Sequence, residues 1–536
     1  MSTNRRRATT WLALTGLMGA AAITGSTAAV AAAAAEMPVY QVRSVGLTQD
    51  QATVLQRAFG LKAVQRAEDG SVSFADESTY LRVPGLDLGA GQPDESGAAT
   101  TQTALDVDSL KRLRAIPVED ATKKALETLR GVGLLPANAT PTAGQTTFEV
   151  VDANQQAVVT APLDTAVSFA FTLGGVPLEG PGAKVRIAFD GQGAVAGLTY
   201  AVRGLLSGPS VPVLTLDEGR DRCAKVLGSS VRPTGVSYVY EAPPLAEKVD
   251  RIEPGLRCDG VNSDGAAVQS VIVGAAVDAR LPEPGPADPP REQSSFTPQW
   301  TNRVDVGSEG TGPCSGLPWT AANLASFNNR FTSAGVPVQF SWVNHNAWER
   351  DFKDPVFAGG QDQLYADDVD MTYWQGHGSP TGFSFAGCSS NTDTFLSNND
   401  ARWGNRDVEW MSLFTCSILQ GTSGGQSWAT RWGRALRGLH QINSFDTVSY
   451  HSAVHGGKFA NYLVRTPFLW WNRPMKVRDA WAQASIDTQP ATVRWATMGP
   501  IGGGGLANFN DYFWNKGPVG PDTLPSTGYW RISGSS

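Results

Sequence analysis

Two short stretches of this chain end in groups able to act on a carbonyl. Asp370-Met-Thr-Tyr-Trp-Gln-Gly-His377-Gly378-Ser379 runs an apolar segment into a histidine followed by glycine, and Glu409-Trp-Met-Ser-Leu-Phe-Thr-Cys416-Ser417 runs a second into a cysteine, 416 − 377 = 39 residues later. A thiol is a poor nucleophile at its unperturbed pKa of about 8.5, and a neighbouring imidazole can favour thiolate or take its proton. Glycine at 378 leaves room for a carbonyl to approach backbone amides. The amides of Gly378 and Cys416 are then candidate donors to an oxyanion. The competing reading makes Cys416 a small buried residue at a strand end.

For these groups to meet, their segments must be neighbours. The C-terminal part reads as strands at 336–343, 369–375, 408–415 and 442–445, with helices at 318–334, 427–437, 457–464 and 477–486. Strands alternating with helices predict an α/β fold with a mainly parallel sheet covered on both faces. Sites in such sheets form at the carboxyl ends of the strands, where His377 and Cys416 fall. Other residues near these segments are candidates for binding. His345 follows a strand and would line a cleft or make a structural contact. Asp362, Asp367, Asp368 and Asp370 would meet a basic substrate group or a calcium ion, or form a solvated loop; Asp368 is taken as the substrate-binding candidate. Trp374 sits beside the histidine and is read as core or cleft lining. His451 and His455, four apart, have the spacing of zinc ligands on a helix face, but Gly456-Gly457 follows and no third ligand matches, so no metal or cofactor is assigned.

The halves of the chain differ in composition. Of 16 tryptophans, Trp11 is near the start and the other 15 begin at Trp300; all five histidines also lie in that C-terminal part. Leu281-Pro-Glu-Pro-Gly-Pro-Ala-Asp-Pro-Pro290 separates the halves as a proline-rich linker over 281–297. Residues 37–280 read as an α+β region of helix-plus-hairpin units, with helices at 48–59, 118–131 and 216–227 and a hairpin turning at Asp190-Gly191-Gln192-Gly193. The α/β domain would then span 298–536.

Residues 1–35 carry Arg5-Arg6-Arg7, an apolar stretch and an alanine run, the pattern of a signal peptide for Sec or twin-arginine export. No later stretch is long enough to span a membrane; the best, 268–277, is the size of a buried strand. The expected mature protein is secreted. Its balance of 43 basic against 50 acidic residues, a net charge of −7, disfavours nucleic-acid binding. Five cysteines in an exported chain leave one unpaired. If Cys223 pairs with Cys258 and Cys314 with Cys388, each within its own half, Cys416 is the free thiol; the spacing alone leaves other pairings open.

A strand ending in His-Gly followed by a strand ending in Cys resembles the caspase–gingipain–legumain superfamily of cysteine peptidases, and Gly376-His377-Gly378-Ser379 is closest to the gingipain form. Thr415 stands where those families usually place a small residue. The chain is also similar to a secreted bacterial family built on that fold. The resemblance implies a caspase-like three-layer sandwich, a His377/Cys416 dyad and a peptide or protein substrate handled by a monomer. The alternative is a non-catalytic binding or surface protein on the same scaffold. Gly174-Gly-Val-Pro-Leu-Glu-Gly180 with its hairpin weakly resembles the PepSY and thermolysin-type propeptide modules of secreted proteases, which would make the N-terminal half a propeptide.

Overall fold

The computed structural model describes residues 35–94, 97–263, 265–281, 291, 304–388, 393–467 and 472–536. The expected export segment, save Ala35, and most of the proline-rich linker lie outside them. Residues 35–536 form one compact unit. It is a mixed α/β structure built on a large mixed sheet.

Five strands at the heart of the C-terminal part are parallel, in the spatial order Val338–Val343, Val306–Gly310, Met371–Gln375, Trp410–Phe414, Gln441–Phe445. The expected parallel core is therefore present. It then continues into strands the sequence reading did not foresee. Arg494–Ile501 and Gly528–Ser535 add antiparallel, and Gly528–Ser535 pairs in turn with Ala139–Asp152 from the N-terminal half. The long strands Ala157–Leu173, Ala183–Phe189 and Val195–Val213 extend the sheet further.

Period-two alternation sends side chains of the parallel strands to opposite faces. Met371, Tyr373, Trp410 and Phe414 meet helices Thr320–Ser333, His455–Val464 and Val477–Thr488 through Phe327, Phe331, Phe459 and Trp481. Trp374, Met411 and Leu413 meet an aromatic layer that includes Phe352, Phe383, Phe385, Trp403 and Trp432. Each large apolar side chain buried this way contributes about 1.5–3 kcal/mol relative to exposure. The short helix Trp428–Trp432 supplies part of this second layer. The expected helix over 427–437 is cut to that length and followed by a 3-10 turn at Gly433–Ala435, and Gly438 at φ 131 prevents the helix from resuming.

In the N-terminal half the local signals act as expected. Thr48 and Thr215 form capping boxes with Gln51 and Glu218 at the starts of helices Gln49–Ala58 and Leu216–Leu227. The hairpin turns at Asp190, whose carboxylate accepts from the amides of Gln192 and Ala194, with Gly193 at φ 76. The apolar run 268–277 is a strand only over Val271–Gly274. Its leading residues turn away and cross to the other half of the molecule.

Candidate functional site

The register Gln375↔Phe414 aligns the histidine and cysteine strands rung for rung, so His377 and Cys416 occupy equivalent positions two residues beyond the last pair. Neighbouring strands lie about 4.8 Å apart. The two segments stay close past the sheet: a Cβ placed on Gly378 would lie 2.4 Å from Thr415 Oγ1 and 2.9 Å from the Cys416 carbonyl oxygen. Glycine at 378 is thus required by the cysteine segment itself, and Thr415, the departure from the family pattern, fills the space that glycine leaves.

His377 is fully buried and has one polar partner. Its Nε2 lies 2.6 Å from the Ser315 carbonyl oxygen, and its Nδ1 has none. A carbonyl only accepts, so Nε2 carries the proton and Nδ1 holds a free lone pair. Burial pushes the imidazole down to about 4, partly opposed by that carbonyl. Cys416 is the free thiol, also fully buried. Its sulfur accepts from the Ser449 amide at 3.4 Å and lies 3.8 Å from Ser449 Oγ. Burial pushes the thiol up to about 11, with the Ser449 bonds pulling the other way. The resting pair is therefore a neutral imidazole and a neutral thiol, with no hydrogen bond between them. Ser417, next in the chain, is held at φ 58, a conformation that costs a non-glycine residue of order 1–3 kcal/mol and that clusters at functional sites.

Both expected disulfides are present. Cys314–Cys388 closes 74 residues of chain beside the site and tethers the turn whose Ser315 carbonyl holds His377; Cys223–Cys258 ties helix Leu216–Leu227 to strand Pro254–Asn262. Such bonds fit an oxidising compartment. Among the described residues no helix is long and apolar enough to cross a membrane.

The other candidates separate. His345 is exposed near this rim, with Nδ1 2.8 Å from the Cys388 carbonyl oxygen, so it flanks the disulfide. Asp368 is not brought to the dyad: it precedes the histidine strand, lies at the opposite end of the sheet, and pairs with Arg406. Trp374 is wholly buried against Phe383 and Phe385, core rather than cleft. His451 and His455 share no helix face, since the helix begins at His455. His451 accepts from the Trp319 amide at its Nε2, and His455 stacks on Phe414 with ring centroids 4.2 Å apart. Burial pushes both down, to about 3.

The sequence reading missed Ser315, Ser449 and Gln269, which touch the dyad or its neighbours. Gln269 alone left a trace, as the one long polar side chain in an apolar run. At the far end of the sheet, carboxylate oxygens of Asp305, Asp370 and Asp407 lie within 4.8 Å of one another, a grouping that could hold a cation. Chemically, the rim brings a free imidazole lone pair and a reduced thiol to the ends of adjacent strands in a dry setting, with both held in their uncharged forms.

The family described as "Domain of unknown function (DUF6345)" matches residues 301–534, a span that contains both His377 and Cys416. No curated protein matches. Among solved structures, the chain is similar to a protein from Eubacterium rectale at 13% identity, covering 45% of this chain and 85% of that one with a TM-score of 0.26. It is also similar to the C-terminal domain of Bacillus megaterium YpeB at 13% identity, covering 44% and 95% with a TM-score of 0.20.

Proposed function

We propose that this chain is a secreted cysteine peptidase-like hydrolase whose C-terminal part is a caspase-like sandwich and whose N-terminal half acts as a propeptide. The observation that carries this reading is the equivalent placement of His377 and Cys416 beyond aligned parallel strands, with the thiol free while the other four cysteines are paired. In the reaction, His377 Nδ1 takes the proton of the Cys416 thiol, and the sulfur adds to the peptide carbonyl. The imidazolium then gives its proton to the departing amine as the C–N bond breaks, leaving a thioester. Water, losing a proton to Nδ1, releases the acid and restores the thiol. The Ser315 carbonyl holds Nε2–H throughout, so it positions the base without reacting. The Gly378 and Cys416 amides are the oxyanion donors in this scheme.

A second reading, a non-catalytic binding or surface protein on the same scaffold, is favoured by one observation: the sulfur bonds to Ser449 instead of His377, and burial suppresses the charge on both groups. Hydrolysis of a peptide library by the unreduced chain, before and after limited proteolysis, separates the two. The hydrolase reading expects cleavage that Cys416→Ala abolishes and that His377→Gln lowers by about 10²–10⁴. Undiminished cleavage by Cys416→Ala contradicts it, and no cleavage by the wild-type chain under either condition favours the scaffold.

A further inference from the structure

We propose that residues Ala267–Ser270 lie in the strip where an extended peptide substrate binds, that the slot holding Gln269 selects a neutral primary-amide side chain, and that the chain is latent until this strap withdraws. The inference rests on the hydrolase reading for its substrate, and on geometry alone for the strap.

The strap enters from strand Pro254–Asn262 and crosses the carboxyl-end rim before rejoining the sheet at Val271. Its backbone is held as a bound peptide would be. Ala267 pairs antiparallel with Gly378, the residue beside the histidine, and Ser270 pairs parallel with Tyr450. The Ser270 amide donates to the Ser449 carbonyl at 3.0 Å, and the His451 amide donates to the Ser270 carbonyl at 3.0 Å. Added-strand pairing of this kind is a recurring mode of peptide recognition. Here it engages Gly378, one of the two expected oxyanion donors.

The side chain between these anchors is Gln269, with no exposed surface. Its Nε2 donates to the Phe414 carbonyl and to Ser449 Oγ, each at 3.0 Å. Its Oε1 faces His451 Nδ1 at 3.3 Å. The same oxygen accepts from Gln375 Nε2 at 3.5 Å, a donor that also lies 2.8 Å from His451 Nδ1, while the Trp319 amide donates to His451 Nε2. The slot therefore offers acceptors to an amide nitrogen and a donor to an amide oxygen. A glutamate there would set a carboxylate oxygen against the Phe414 carbonyl, and a leucine would leave the slot's buried groups unpaired, the strongest basis a site has for rejecting an analogue. Ser449 links this slot to the sulfur, since its hydroxyl accepts from Gln269 and lies 3.8 Å from Cys416 Sγ.

The test is the rate at which iodoacetamide labels Cys416 in the full, unreduced chain, followed by mass spectrometry. Two variants loosen the strap at different contacts: Gln269→Glu in the slot and Ala267→Pro at the residue that pairs with Gly378, where proline's ring and missing amide hydrogen disfavour a paired strand. With native circular dichroism and both disulfides intact, either should label at least about tenfold faster than wild type, the effect of losing one or two buried hydrogen bonds. Wild-type rates in a folded variant overturn the strap. The peptide acetyl-Ala-Val-Gln-Ser-amide, added to Ala267→Pro, should slow labelling again, whereas the same peptide with Leu or Glu for Gln should not; equal protection by all three overturns the amide preference. Fast labelling without any hydrolysis would leave the strap standing and reject the hydrolase reading alone.

Discussion

The two ends of the parallel sheet are built from the same strands and treat charge in opposite ways. At the amino ends, Asp305, Asp370 and Glu409 each immediately precede a strand, and beside them His440 donates through Nδ1 to Asp511 at 2.7 Å. There the imidazole is pushed up to about 9, because the attraction of Asp511 and Asp522 outweighs burial. At the carboxyl ends, among the described residues, no carboxylate bonds to His377 or His451. Both are pushed down by burial, and the thiol between the segments is pushed up. His440 is a paired, charged anchor, whereas His377 and Cys416 sit neutral in a dry pocket under a strap. The difference teaches that burial alone does not set protonation here; the partner each imidazole is given does. Under the proposed hydrolase reading, a His377/Cys416 pair with no charge on either member suits a latent site.

The largest expected effect comes from breaking the charged end. Replacing Asp511→Asn leaves buried His440 with only the half-exposed Asp522 as ion partner and should cost about 3 kcal/mol near pH 6. The sign with pH follows from linkage. A histidine whose folded pKa is raised to about 9 contributes stability that is complete below its unfolded value of about 6.5 and lost as pH rises through about 9. Urea titrations at pH 6 and pH 9.5 should therefore show the variant's deficit shrinking at the higher pH. An equal deficit at both would mean that the pair is not ionic.

A smaller effect sharpens the neutral end. Gly378→Ala forces a Cβ against Thr415 Oγ1 and the Cys416 carbonyl, and overpacking of this kind costs about 1–3 kcal/mol. In a Thr415→Ala background the same change should cost less, since the nearest atom is gone. Thermal unfolding of the four members of this cycle measures the coupling, and strict additivity would show that the two segments do not press on each other there.

The parallel core and the placement of the dyad were legible because their signals are local. Apolar runs of strand length alternate with helical periodicity, and the parallel rule puts both chemical groups at one rim. The disulfides followed from keeping each pair within its own half. What stayed hidden depends on contacts distant in sequence. Gly528–Ser535 pairs with Ala139–Asp152 across most of the chain, and no local pattern announces that partner. Asp368 is close to His377 in sequence but not in space, because the strand between them carries its two flanks apart. Trp374 points to the covered face, and alternation from Tyr373 would have said so. The strap was concealed inside an apolar run of strand length, with Gln269 as its one long polar side chain.

The alkylation rate of Cys416 as a function of pH, in the native unreduced chain, tests the central claim most directly. A thiol held at about 11 in a closed, neutral pocket predicts slow labelling near pH 7 that keeps rising through pH 10 without levelling. A rate that levels off at or below pH 8 would mean that the sulfur already rests as thiolate beside a charged His377, and would contradict the account.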